Sequence, residues 1–281
     1  MGLKRVGVFL FSIQFIGFST LTFAGNENLS LGGRSSAMGD ASVCLSDVWS
    51  AQNNQAGLAS LQKGEAGLYV QNRLGLKELN AALFVLAIPT HSGTFGFCGS
   101  SFGYSLYEEN KCGLSYAKKA GSHLSAGIQL DYLGTSIGQG YGSKNNVATE
   151  VGLKALLLKG LSLGIHLYNP NRAVLVYSSN ERMATVLRMG LQYEVSSKIL
   201  LAFETEKNNW HAGTFKAGFE YKPTATLSLR AGVTAKPSSF RAGAGIHLSH
   251  LQIDLFSSWH PILGYSEGVG LSMPFRSALT S

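Results

Sequence analysis

Residues Gly134-Thr135-Ser136-Ile137-Gly138 have the Gly-x-Ser-x-Gly spacing of a hydrolase nucleophile. That chemistry needs its serine on a sharp strand-to-helix turn beside a histidine base. Here the motif opens a glycine-rich stretch continuing through Gly140 and Gly142 with no helical pattern after it, so no catalytic residue is expected. Histidines at positions 91, 123, 166, 211, 247, 250 and 260 form no His-x-x-x-His spacing, and no Cys-x-x-Cys exists, so neither a metal nor a cofactor is expected. Cys44, Cys98 and Cys112 are an odd number and cannot all pair. Alternation puts Cys98 and Cys112 on opposite faces, and no disulfide is expected.

A different chemistry, ion pairing in an enclosed space, is open to Lys216, Glu220, Arg230, Arg241 and Asp254. They fall on consecutive late segments, all in one phase of an alternating pattern. They could line a permeation path, or pair with one another and with an enclosed amino-terminal segment. Unpaired buried charge is costly, which favours pairing. His166 and His247 share that phase and read as hydrogen-bonded polar filling.

The elements that would position these residues are short strands. Charged residues make up 14% of the 281-residue chain, below the ~25% of soluble domains, and 34 glycines would weaken any helical bundle. The net charge of +7 comes without a Lys/Arg-rich run, so nucleic acid is not an expected partner. Residues 1–24 read as a signal peptide: Lys4 and Arg5, an apolar run from Val6 to Phe18, and a small-residue cleavage site ending at Ala24. After it no run of about 18 apolar residues occurs, so no helix is expected to span a membrane.

Period-two alternation recurs instead. Phe240, Ala242, Ala244, Ile246 and Leu248 share one face; Arg241, Gly243, Gly245 and His247 share the other. Fourteen such segments lie between Glu65 and Phe275. A sandwich would alternate too, but here the polar face is largely Gly and Ser with scattered charges of both signs. That suits an outer-membrane barrel, apolar outside and polar inside. Connections are expected to alternate between tight turns, such as Lys159-Gly160 and Ser196-Ser197, and long loops, such as Phe102 to Asn110, Gly134 to Asn146 and Asn169 to Ala184. Tyr132, Tyr168, Trp210 and Trp259 are expected in one interfacial belt; Tyr116, Tyr193, Tyr221 and Phe275 in the other.

Between Leu31 and Leu61 small residues dominate. Gly33-Arg34-Ser35-Ser36-Ala37-Met38-Gly39-Asp40-Ala41 has the form Gly-Arg-x-x-x-Met-Gly-x-Ala, and Asn54-Gln55-Ala56-Gly57-Leu58-Ala59 follows it. Both resemble amino-terminal signatures of the outer-membrane barrel family that includes FadL-type hydrophobic-compound transporters and the PorV and PorQ proteins of type IX secretion. Gln55 stands where that family's Asn-Pro-Ala-Gly-Leu-Ala motif has proline, and residues 276–281 extend past Phe275, where such barrels commonly end.

The resemblance implies an all-β transmembrane antiparallel barrel of about fourteen strands (residues 64–275) with a small amino-terminal hatch (residues 25–63) in its lumen. Its hatch motif would comprise Gly33, Arg34, Met38, Gly39, Asn54, Ala56 and Gly57. Localisation in a bacterial outer membrane with both termini periplasmic follows. Because strands and hatch consume nearly all the mature chain, leaving little for ligand-capturing loops, the expected role is an accessory or structural subunit of a secretion or assembly machine. Outer-membrane lipid and envelope proteins would be its partners. The alternative is FadL-like passive transport of small hydrophobic molecules.

Overall fold

The computed structural model describes residues 28–139, 142–176, 181–209, 212–236 and 238–275. The signal segment, Trp210, His211 and the tail 276–281 lie outside them. The amino-terminal part carries α1 (Gly33–Ala37), α2 (Ser50–Asn53) and a 3-10 turn (Gln55–Ser60). Then come β1 (Gly64–Arg73), β2 (Leu76–Pro89), β3 (Thr94–Tyr104), β4 (Tyr107–Ala120), β5 (Leu124–Ile137), β6 (Gly142–Leu158) and β7 (Leu161–Tyr168). A small ribbon, β8 (Val174–Val176) with β9 (Glu181–Arg182), precedes β10 (Val186–Ser196), β11 (Ile199–Asn208), β12 (Thr214–Tyr221), β13 (Leu227–Ala235), β14 (Ser239–His247), β15 (Gln252–His260) and β16 (Gly264–Phe275).

All strands but β8 and β9 form one closed antiparallel barrel of 14 strands, each paired with its sequence neighbour. Closure joins β1 to β16, so Leu68 lies between Phe84 of β2 and Leu271 of β16. Closing the ladder satisfies every strand's backbone groups, the condition for crossing hydrocarbon as a sheet. The outward rows are large and apolar: Leu114 is 65% exposed, Ile128 61% and Phe215 66%. So wide an apolar girdle is the lipid-facing surface of a membrane barrel. Among the described residues no helix is long and apolar enough to cross a membrane.

The expected alternation of turn lengths is corrected. Among the described residues on the rim opposite Gly64, the connections 74–75, 105–106 and 261–263 have two or three residues, whereas residues 169–185 separate β7 from β10. β3 and β4 extend to a two-residue turn at Ser105-Leu106, and β5 and β6 continue through Gly134 to Asn146, with Gly134 opposite Asn145. Beyond the lipid both faces of a strand meet water, so period two disappears and polar strand residues imitate a loop. As a result β2, β4, β5 and β6 have 14 to 17 residues, against 8 in β7 and β12. Tyr168 is also corrected: it faces inward at 1% exposure, in phase with Ser162, Gly164 and His166, whereas Tyr132 and Trp259 face out as expected.

Residues 28–61 pack against inward-facing residues on opposite sides of the barrel. α1 meets β13–β16 and the 3-10 turn meets β3–β6. The approach is at backbone distance, and the wall there is glycine. A methyl group on Gly232 would lie 2.2 Å from the Gly39 nitrogen, one on Gly218 2.6 Å from the Met38 oxygen, and one on Gly164 2.5 Å from the Val43 oxygen. Gly127, Gly152, Gly243 and Gly270 are crowded in the same way by Gln55, Asn54, Ala37 and Gly33. Five of these seven glycines fall on three cross-strand glycine pairs, Gly127–Gly152, Gly164–Gly190 and Gly218–Gly232, forming a belt around the inside.

Gly232→Val should therefore unseat the segment at an overpacking cost of about 1–3 kcal/mol. The reading is faster protease cleavage within residues 28–63 of detergent-solubilised protein. Val233→Ala, on the outer face of the same strand, should leave cleavage unchanged; equal rates in both variants would refute the belt's steric role.

Candidate functional site

Three inward carboxylates of the wall each hold one stretch of the amino-terminal segment. On β12, Glu220 accepts Nε and Nη2 of Arg34 at 2.9 and 2.8 Å and Nε of Arg230 at 2.7 Å. Arg230 also donates to Asp254, which takes the Gln252 amide at 2.8 Å. On β11, Glu204 accepts the backbone N–H groups of Ser42 and Val43, both at 2.8 Å, and pairs with Lys216 at 3.0 Å. Lys216 reaches Glu206 at 2.6 Å, and Glu206 pairs with Arg188, which donates to the Asn28 carbonyl. On β6, Glu150 accepts the Gln55 amide at 2.6 Å, meets His166 at 2.7 Å and pairs with Lys111. Each centre thus joins a wall cation to an amino-terminal donor, and charge-assisted bonds of this kind are the strong ones.

Local structure presents those donors. Asn54 caps the 3-10 turn by accepting the Ala56 N–H at 3.2 Å, and its amide donates to the Val43 carbonyl at 2.6 Å and to the Leu153 and Ile165 carbonyls of β6 and β7. Gly57 sits where a methyl would strike the Leu45 oxygen and Ser50 Oγ at 2.5 Å. Met38 is fully buried with Ala41, Leu45, Leu200 and Ala202. Gly33 lies against Asp254 and Gly270, and Gly39 takes a positive φ of 68° against the β13 backbone. Gln55, the departure from the family motif, supplies a side-chain donor that proline lacks.

Of the five charged residues singled out in the sequence, Glu220, Arg230 and Asp254 form one chain and Lys216 belongs to the Glu204 centre. Arg241 pairs instead with Asp40 at 2.6 Å. All five bond to a partner, and Glu220 and Arg241 do so directly with the amino-terminal segment. His247 meets Ser228 Oγ at 2.8 Å. Burial raises the Asp47 carboxyl, opposed by Arg34 at 3.4 Å. Burial also pushes the Cys44 thiol up to about 12, so it stays protonated and unreactive near neutral pH. Cys44 and Cys98 are buried, Cys112 is exposed, and all three are free. Gly134 to Ile137 are strand residues of β5, so Ser136 is on no strand-to-helix elbow.

The other side of the lumen is apolar. Tyr69 of β1 stacks on Phe256 of β15 with centroids 5.8 Å apart and meets Trp49 edge-on at 6.2 Å. Leu31, Leu58, Leu83 and Val85 join this cluster, which extends to Phe102, near the far end of β3, and to Leu61, just before β1. It runs the height of the interior. On the opposite side, Ala173, Met183 and Ala184 from the connection between β7 and β10 turn inward and pack with Leu133, Ala148 and Tyr168. Asn169 pins that fold through the Met183 and Ala184 carbonyls and the Ala173 N–H.

No family model matches the chain, and no curated protein matches it. Solved structures do match. A CymD monoaromatic hydrocarbon channel aligns over 88% of this chain and 98% of its own at TM-score 0.68 and 15% identity. The Ralstonia pickettii toluene transporter TbuX aligns over 88% and 99% at 0.69 and 13%. The P. putida toluene transporter TodX aligns over 89% and 100% at 0.68 and 14%. The likeness is one of fold: the barrel architecture of FadL-type channels.

Sequence reading did not single out Tyr69, Phe256 or Trp49, nor Lys111 and Glu206. Phase alone marks the two wall aromatics, since outward Leu68, Val70 and Leu255 oblige Tyr69 and Phe256 to point in. Glu220→Gln removes the charge that two arginines share and should cost about 3–5 kcal/mol, as for breaking a buried pair. Gln55→Pro loses one bond to a charged group and should cost about 1.5–3 kcal/mol. Denaturant unfolding in lipid vesicles measures both; a Glu220→Gln midpoint equal to the parent's would remove the anchoring role.

Proposed function

We propose that the chain is a non-enzymatic FadL-like outer-membrane barrel that passively admits small hydrophobic molecules, with residues 25–63 as its hatch. One observation carries this reading: an apolar lane from Phe102 through Tyr69, Phe256 and Trp49 to Leu61, along the side of the interior away from the Glu150, Glu204 and Glu220 centres. The hatch is held by directional charged bonds on the β6, β11 and β12 side and, on the β1–β3 side, by apolar contact with a single Ser36–Tyr69 hydroxyl bond at 2.8 Å. An apolar solute entering on the β1–β3 side replaces apolar contacts with equivalent ones, whereas parting the ionic side would strand buried charges. Movement is therefore easiest where a hydrophobic molecule fits.

This reading takes precedence over the accessory or structural role in a secretion or assembly machine expected from the little chain left for loops, since an interior apolar lane serves transit. The hydrocarbon channels whose fold it shares support the same choice.

The test is uptake of labelled toluene by bacteria that carry this protein and lack other channels for such compounds. Uptake should exceed that of cells with an unrelated barrel, while sucrose uptake should not change. Phe102→Gln, at the upper end of the lane, should slow toluene entry. Equal toluene uptake with and without the protein would overturn the reading.

A further inference from the structure

A cavity of about 430 Å³ lies between the amino-terminal segment and β6, β10, β11 and β12, toward the rim that carries Gly64 and Phe275. Arg34, Lys154, Lys198 and Lys222 line it, against Glu194 and Glu220. These acids do not balance the cations. Glu220 already takes Arg34 and Arg230 at 2.8 and 2.7 Å, with Lys222 further off at 3.3 Å. Glu194 takes the Gln192 amide at 3.2 Å.

Two lysines are left without a counter-charge. Lys154 Nζ donates to Ser46 Oγ at 2.6 Å, and Lys198 Nζ lies 3.5 Å from the Pro223 carbonyl. Among the described residues neither has a carboxylate at ion-pair distance. An ammonium carries three donors, so Lys154 keeps capacity for further acceptors. Lys154 is half-buried and Lys198 exposed at the rim, so both present their charge to the space between them and the amino-terminal segment. Elsewhere in the lumen this protein pairs its cations, as Lys111, Lys216 and Arg230 show.

We propose that this cavity binds a small oxyanion, a carboxylate or a phosphate group, between Lys154, Lys198 and Lys222. The site is separate from the apolar lane and does not depend on the transport reading. Its polar walls suit a charged group, and its position lets the ligand arrive from the rim where the barrel chain begins and ends.

Equilibrium dialysis of the full-length protein in nonionic detergent at low ionic strength, with radiolabelled inorganic phosphate and radiolabelled benzoate, tests it. Saturable binding near one equivalent is expected for at least one probe. Phosphate alone would indicate inorganic or headgroup phosphate as the source; benzoate would indicate an organic acid. Lys154→Gln should weaken binding about tenfold, the scale of one lost charged hydrogen bond. Lys154→Arg and Lys77→Gln, the latter on the opposite rim, should retain it. If Lys154→Gln fails to give a folded barrel, Lys198→Gln takes its place. Absence of saturable binding by either probe, or full binding by the Gln variants, would overturn the proposal.

Discussion

The interior of this barrel is governed by how closely one backbone can approach another. The amino-terminal segment lies against the wall with no side chain between them at Gly164, Gly218 and Gly232, where a single methyl group would collide with Val43, Met38 or Gly39. Glycine is a poor strand residue, weakening both packing and backbone order. The closed ladder offsets that loss, since each glycine-bearing strand is held on both sides. The glycine content first read as an argument against helices is, in space, the imprint of the enclosed segment on its container.

Close approach also sets the electrostatics. Once side chains are excluded from the contact plane, polar groups can meet only beside it, and there Glu150, Glu204 and Glu220 stand, each bonded to a wall cation and to the enclosed segment. Their grouping on β6, β11 and β12 leaves β1–β3 to Tyr69, Leu83 and Val85. The interior is two-sided as a result: directional bonding on one flank and interchangeable apolar contact on the other.

Most of the wall was legible in the sequence because period two survives wherever one face meets lipid and the other does not. It placed Phe240 and Ile246 outside, and Glu220, Arg230 and Asp254 inside. The signal failed where that asymmetry weakens: the upper parts of β3–β6, read as loops, are polar strand. Tyr168 was misplaced by treating an aromatic at a strand end as interfacial, although the phase of Ser162 to His166 turns it inward. The anchoring pattern was the least legible part. Arg34 and Glu220 are 186 positions apart, and Gln55 and Glu150 are 95 apart. Phase marks such residues as inward, but the path of the segment crossing the lumen decides which of them meet.

The unequal strand lengths bear on how the mouth is reached. A bilayer surface is flat, so the tall sector formed by β2–β6 stands out of it like a parapet, while the sector of β7 and β12–β15 ends low. Ala173, Met183 and Ala184 cover the lumen beside Leu133 and Tyr168, at the junction of the two heights. Among the described residues the rim is consequently lopsided: a body drifting along the membrane toward the high flank meets a wall of strand, and one drifting toward the low flank meets the strand ends at a lower level.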